Sequence, residues 1–241
     1  MTLSEKQIAS YYNNGYLSGI RIADTEEADR TRAQFDALEA LTGREKAQIG
    51  LLDRHLDQPF LWELASDPQI LDCVESLIGP DIMLLATHFF CKYGQGEKFV
   101  AWHQDVTYWG LEPPQALTVW YAIDDSDVEN GCMRVLPGTH RDGIRTHKKA
   151  DQAGNLLSIN QEVPVTQEEE ASAVDLILHS GEVSIHDGAL IHGSLPNCST
   201  RRRCGLTLRY ISPSVKPVTP NSLGKSWKAV LVRGKDVFHH F

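Results

Sequence analysis

The chain has 241 residues, 41% of them hydrophobic and 23% charged, and a formal net charge of −9. That length and apolar content support a globular core and exclude a disordered chain. The excess of acid leaves no basic face for a phosphate backbone, so nucleic acid is not an expected partner. In chain order, the opening MTLSEKQIASYYNNGYL lacks the basic start and apolar run of a secretory signal, and no later run reaches the length of a membrane span. No membrane partner and a cytoplasmic location are therefore expected. Ser4 is positioned to cap a helix through about Asn13 that Gly15 ends. Thr25 is the expected cap of a second helix, with Glu26 and Glu27 at the positive end of its dipole and Gly43 at its close. Asp67 and Pro68 open a third, which places Leu71, Val74, Leu77 and Ile78 on one face and stops at Gly79-Pro80.

Beyond Gly79 the pattern changes to strands, predicted over 82–92, 116–123, 133–136, 175–178, 183–186 and 204–211, with a weaker candidate at 228–233. Gly94, Gly96, Pro113-Pro114, Asn130-Gly131, Pro137-Gly138, Gly181 and Gly188 punctuate them. The stretch 141–173 has little periodicity and is too long for an idle connector, so it reads as a lid or binding loop. The expectation is one domain over 1–241. It has a mainly helical layer over about 1–80 and a jelly-roll or cupin-like barrel over about 81–241. The five cysteines, Cys73, Cys91, Cys132, Cys198 and Cys204, form no C-x-x-C pair, so reduced thiols are expected rather than disulfides or zinc knuckles.

One constellation carries chemistry. Trp102-His103-Gln104-Asp105 contains H-x-D, and in an extended backbone His103 and Asp105 lie on one side, since side chains alternate. A third ligand must come from elsewhere, and His192 stands in Leu190-Ile191-His192-Gly193-Ser194. Two histidines and a carboxylate on one face of a metal are the donor set of non-haem iron(II) oxygenases. Taken alone, H-x-D reads equally well as a core histidine beside a solvated aspartate.

The surrounding blocks bear on that choice. Ala101–Asp105, Leu117-Thr118-Val119-Trp120-Tyr121-Ala122-Ile123-Asp124, Glu129-Asn130-Gly131-Cys132-Met133-Arg134-Val135-Leu136-Pro137-Gly138-Thr139-His140, His192-Gly193-Ser194, Asn197 and Arg203 resemble, in order, the phytanoyl-CoA dioxygenase family. Gln7-Ile8-Ala9 and Asn14-Gly15-Tyr16-Leu17 fit the opening of that family, and the resemblance runs from about residue 5 to 213. It implies a double-stranded β-helix, Fe(II), 2-oxoglutarate and O2 as cofactors and co-substrates, and His103, Asp105 and His192 as metal ligands. His186, close before His192, is the competing histidine. The register of Ser194, Asn197 and Arg203 favours His192 and leaves His186 as a hydrogen-bonded barrel residue. The resemblance also implies hydroxylation of an unactivated carbon of a small molecule, with release of succinate and CO2. Halogenating relatives replace the carboxylate ligand by a small residue, whereas this chain keeps Asp105.

An acidic co-substrate needs a cation, and an arginine fork pairs with two carboxylate oxygens. The resemblance points to Arg203. Strand parity agrees: Leu206, Leu208 and Tyr210 form an apolar face, while Arg203, Gly205, Thr207 and Arg209 form a polar one that a barrel covered by helices turns inward. Arg202 then points away and reads as a solvated charge, and Arg201, of the same parity as Arg203, is the fallback. By resemblance Trp120 lines the 2-oxoglutarate site and Ser194 donates to its carboxylate. His88, on the strand leading in, is a further candidate contact or else a satisfied core histidine. Tyr108, Trp109, Arg209 and the loop residues His147, Lys148, Lys149, Asn155 and Gln161 are where the prime substrate is expected. Lys148 and Lys149 read equally well as solvated, and Trp109 as packing. Two rival readings are a cupin-type metal enzyme that does not use 2-oxoglutarate and a degenerate barrel acting as a binding module. Arg203 and Trp120 argue against the first, and the intact triad against the second.

Overall fold

The structure is a computed structural model that describes residues 2–157, 160–218 and 226–241. Its first part comprises α1 (Glu5–Asn14), β1 (Tyr16–Arg21), α2 (Thr25–Thr42), α3 (Arg44–Ile49), α4 (Pro59–Ala65) and α5 (Pro68–Ile78). Then come β2 (Ile82–Lys92), β3 (Val100–His103), β4 (Leu111–Glu112), β5 (Leu117–Ala122), β6 (Met133–Val135), β7 (Lys148–Lys149) and β8 (Gln161–Glu162). The chain continues through α6 (Gln167–Ala171), β9 (Val174–Leu176), β10 (Glu182–Asp187), β11 (His192–Ser194), β12 (Arg203–Ile211), β13 (Lys216–Pro217) and β14 (Val230–Arg233).

The helix ends follow local chemistry. Ser4 and Gln7 form a reciprocal capping box, and Gly15, at φ 84°, closes α1 in the left-handed region that only glycine enters at little cost. Helix α2 begins one residue earlier than Thr25 would have it as cap. Asp24 is the cap: its carboxylate accepts from Glu27 N at 2.9 Å, and the Glu27 carboxylate accepts from Asp24 N at 3.1 Å. A carboxylate at that position also answers the positive end of the dipole. Asp67 caps α5 by accepting from Gln69 N and Ile70 N.

The expected helical layer over 1–80 contains a strand. Residues 16–21 pair antiparallel with β10, with an irregularity between Leu17 and Ile20. This strand is the edge of a sheet ordered β1-β10-β5-β12-β2-β14. A second sheet, ordered β3-β11-β6-β9, faces it, and Trp120 and Ala122 of the first pack with Met133, Val135 and Leu176 of the second. The two antiparallel sheets form the double-stranded β-helix expected of the chain. Leu206, Leu208 and Tyr210 of β12, with Leu117, Val119 and Tyr121 of β5, pack outward against Phe35, Leu38, Leu61 and Val74 of the helices. At roughly 1.5–3 kcal/mol per fully buried large side chain, this helix–sheet layer is a major source of stability. It also decides which face of β12 turns inward. The loop expected at 141–173 is less irregular than its sequence implies: β7 pairs with β8, and α6 carries a capping box between Thr166 and Glu169.

Candidate metal centre

Strand β3 delivers His103 into the barrel. Gln104 remains extended (φ −121°, ψ 124°), and Asp105 opens a short 3-10 turn, so both side chains of H-x-D face the same space. Gln104 itself is fully buried and fixes the motif. Its amide donates to Gly143 O at 3.0 Å and Ala189 O at 2.7 Å, and its carbonyl accepts from Arg145 N at 2.8 Å. His192 arrives on β11, which pairs with β3 so that His192 lies opposite His103. The structure thus brings His103, Asp105 and His192 together, with one ligand atom from each within 4.8 Å of the others.

The imidazoles are oriented by their own strands. His103 Nδ1 lies 2.8 Å from Ala101 O and His192 Nδ1 lies 3.0 Å from Leu190 O. Each contact requires a proton on Nδ1, which frees Nε2 to act as a donor atom toward a metal. Burial pushes the His192 ring below its usual pKa, with help from His103 and His186, and so keeps it neutral. Burial alone would raise Asp105. The imidazoles of His103 and His186, 3.4 and 3.8 Å away, and the charge of Arg209 more than offset that and hold the carboxyl well below its usual range. Thr118 Oγ1 also donates to Asp105 Oδ2 at 3.1 Å. His186 is buried on β10 with its ring 4.5 Å from His192 and its Nε2 3.8 Å from Asp105 Oδ2, outside the cluster of three; neither ring nitrogen has a hydrogen-bond partner, so it packs in the barrel rather than being hydrogen-bonded as expected.

Beside the triad lies a narrow cavity of about 40 Å³ lined by Trp120, Ser194, Arg203, Thr207 and Arg209, among others. Arg203 is 3% exposed, its guanidinium 5.5 Å from the Trp120 ring centre. It donates to Gly131 O at 2.6 Å and Ser194 Oγ at 3.4 Å, while its buried Nε meets no partner. Gly205 lets Trp120 lie this close, because a Cβ there would stand 1.9 Å from the indole.

Lys92, directly across from Arg203 on β2, was not anticipated. It is 1% exposed and donates from Nζ to Ser194 Oγ at 2.6 Å, Gly131 O at 3.3 Å and Leu195 O. Burial and the neighbouring Arg203 push its amine down to about 5. The signal was parity, since Lys92 shares the inward face of β2 with His88 and Phe90, opposite Arg203, Thr207 and Gly205. His88 faces inward as well, but its Nε2 lies 2.5 Å from Ile49 O and its ring is not part of the cavity wall.

The other arginines of the triplet separate clearly. Arg201 is on the surface, paired with Asp127 at 2.8 Å and Glu129 at 3.4 Å. Arg202 points away from the cavity as expected, yet it is not a free solvated charge. It bridges Asp124 at 2.8 Å, Asp36 at 2.6 Å and Glu39 at 3.0 Å, and so ties β12 to α2.

On the substrate side, Trp109 is buried with Arg209 stacked 5.0 Å over its ring. The side chain of Tyr108 lies outside the described residues. His147 accepts from Gln104 N at 3.1 Å and Asn155 Oδ1 accepts from Ala101 N at 3.1 Å, so both tether the loop to the H-x-D strand. Lys148 and Lys149 are exposed, Lys148 paired with Glu162 at 3.2 Å, and Gln161 pairs with Lys149 in the hairpin.

A buried trio of two imidazoles and one carboxylate fits Fe(II). A buried guanidinium with an unpartnered donor, and beside it a buried amine able to take up a proton, fit a small dianion. Comparison with known proteins agrees with this chemistry. The family profile "Phytanoyl-CoA dioxygenase (PhyH)" matches residues 11–205. The phytanoyl-CoA dioxygenase domain-containing protein 1 homolog of Dictyostelium discoideum is 32% identical over 113 residues, 45% of this chain and 39% of that protein. The peroxisomal phytanoyl-CoA dioxygenase of Rattus norvegicus is 24% identical over 241 residues, 90% of this chain and 71% of that one. The match thus spans under half of the first relative and about seven tenths of the second. Among solved structures, the apo form of the non-heme monooxygenase ThoJ superposes with a TM-score of 0.79 at 30% identity, covering 95% of this chain and 84% of that one. CytC3 with Fe(II) and alpha-ketoglutarate gives 0.74 at 28% identity, covering 99% and 92%.

Proposed function

Because the chain belongs to the phytanoyl-CoA dioxygenase family of Fe(II)- and 2-oxoglutarate-dependent dioxygenases, we propose that it hydroxylates an unactivated carbon of a small-molecule substrate and releases succinate and CO2. The observation that carries the reading is the buried His103–Asp105–His192 cluster opening onto a cavity lined by the guanidinium of Arg203 and by Ser194, which the Lys92 amine contacts. In this reading those three side chains hold Fe(II), which with 2-oxoglutarate and O2 supplies the oxidant when bound.

The rest of the site binds, orients and excludes water. Arg203 and Lys92 receive the distal carboxylate of 2-oxoglutarate, with Ser194 Oγ between them as a hydroxyl bonded to Nζ at 2.6 Å. Trp120 forms an apolar wall that keeps water off that contact, and the Gly205 backbone gives it room. Thr118 steadies Asp105 through its hydroxyl, so that the carboxylate does not swing. Asp105 fills the position that a halide would need, so oxygen transfer is the outcome this site supports.

The test is a screen of small-molecule substrates read by succinate release, followed by mass analysis of the product formed under labelled O2 with excess chloride. Labelled oxygen in the product, with matching succinate, is the expected result. A chlorinated major product, or product formed without consumption of 2-oxoglutarate, contradicts the proposal.

A further inference from the structure

The cavity holds one more cation than the co-substrate uses. Arg209 lies on the same strand and the same face as Arg203, six positions further on, so its Cα is roughly 20 Å away along β12. It pairs across the sheet with Thr118, whose hydroxyl bonds Asp105. Arg209 therefore stands at the Asp105 end of the triad, while Arg203, Lys92 and Ser194 stand at the other.

Its surroundings are those of a receptor waiting for an anion. The residue is 7% exposed and lines the cavity, its guanidinium stacks 5.0 Å over Trp109, and its buried Nε has no hydrogen-bond partner. Among the described residues no carboxylate lies within ion-pair distance of it, whereas Arg202, on the outer face of the same strand, has three. A buried guanidinium without a counter-charge is costly, and a site keeps one where a ligand supplies the charge. Among the described residues Asp105 is the only carboxylate lining the cavity; it is committed to the metal trio, and a dianion held by Arg203 and Lys92 leaves Arg209 unanswered.

We propose that Arg209 receives an oxyanion of the prime substrate, a carboxylate, phosphonate or phosphate, and positions the rest of that molecule against the triad with Trp109 as backing. The inference rests on the reading of the site as an Fe(II)/2-oxoglutarate centre. A planar fork on an aromatic face gives two parallel donors in a fixed plane, so the anion anchors orientation as well as affinity. The substrate class is then a small acid, and neutral analogues of the same skeleton bind poorly.

The test uses full-length protein loaded with Mn(II) and saturating 2-oxoglutarate, without oxygen. Binding is titrated for a panel of short- and medium-chain carboxylates, each beside its primary amide, and for the matching alkylphosphonates. The wild type should bind at least one acid roughly tenfold or more tighter than its amide, the size expected of a charge-assisted hydrogen bond. The carboxylate and phosphonate arms tell which oxyanion the site takes. Arg209→Gln should abolish the acid-over-amide preference while 2-oxoglutarate affinity at saturating Mn(II) stays within about twofold. Arg209→Lys should keep part of the preference, which separates charge from packing. Three results overturn the proposal: no acid preferred over its amide in the wild type, a preference that survives in Arg209→Gln, or loss of 2-oxoglutarate binding in Arg209→Gln with the preference intact. If Mn(II) or 2-oxoglutarate fails to bind the wild type, the underlying reading of the site falls instead.

Discussion

Replacing Arg203 by Gln removes the guanidinium facing the co-substrate while leaving an amide able to reach Gly131 O, which Arg203 contacts at 2.6 Å. Arg203 is buried beside Trp120 and has a free Nε, so its contact with a carboxylate is desolvated and charge-assisted. Removing one partner of such a pair costs about 2–5 kcal/mol, which is about 30- to 4,000-fold in affinity. The neighbouring lysine narrows this range. Burial first and Arg203 second hold the Lys92 amine down to about 5. With Arg203 gone, Lys92 takes up a proton more readily and recovers part of the lost attraction. The expected loss is therefore in the lower part of the range, about 30- to 300-fold. Calorimetric titration of 2-oxoglutarate into Mn(II)-loaded, oxygen-free protein measures it, with Arg201→Gln as the control. Arg201 is exposed and paired with Asp127 and Glu129, so its variant should bind within about twofold of the wild type. Binding within about threefold in Arg203→Gln, or a larger loss in Arg201→Gln, would refute the assignment of β12 parity to this site.

Three further outcomes follow from the same geometry. Gly205→Ala places a Cβ 1.9 Å from the Trp120 ring, so it should push the indole into the cavity, cost about 1–3 kcal/mol of stability and weaken 2-oxoglutarate binding; unchanged melting and binding would show that Trp120 does not rest on this glycine. Arg202→Ala leaves Asp124, Asp36 and Glu39 without their shared cation and should destabilise the fold by about 1–3 kcal/mol with the 2-oxoglutarate affinity of the folded protein preserved, as denaturant unfolding and calorimetry can check. Lys92 has a folded pKa of about 5 against about 10.4 unfolded, so between these values the unfolded chain binds the extra proton, and this group makes the empty protein more stable as pH rises. An arriving dianion reverses the preference, so 2-oxoglutarate binding near neutral pH should take up a proton in the wild type and not in Lys92→Met, measured by calorimetry in buffers of different ionisation enthalpy; equal uptake in both would contradict the role given to Lys92.

Legibility in the sequence tracks the range of the interactions. Ser4, Asp67, Gly43 and Gly79 mark helix ends because a cap is made within a few residues, and the miss at Thr25 is a one-residue shift to the carboxylate that reaches Glu27 N. Strand β1 was not legible. Tyr16–Arg21 contains Ser18 and Gly19, shows no clean alternation, and is extended because β10 pairs with it across the whole chain. His103 and Asp105 were legible from their spacing, and His192 from its block, whereas the separation of His186 from the trio required the sheet register. Parity on β12 set Arg203 inside because its two faces differ in polarity. On β2 nearly every residue is buried on both faces, which hid Lys92 among apolar neighbours. The carboxylates around Arg202 come from α2 and the end of β5, which no local pattern connects to it.

The central claim is that His103, Asp105 and His192, and not His186, hold the iron that 2-oxoglutarate turnover requires. The most direct measurement is Fe(II) content per chain together with succinate released on admitting O2, for the wild type and for His103→Ala, Asp105→Ala, His192→Ala and His186→Ala, each checked for an unchanged thermal transition. The account predicts one Fe(II) per wild-type chain with Fe(II)-dependent succinate, loss of both in the three triad variants, and retained iron in His186→Ala. Wild-type iron and succinate in His192→Ala alongside their loss in His186→Ala would contradict it.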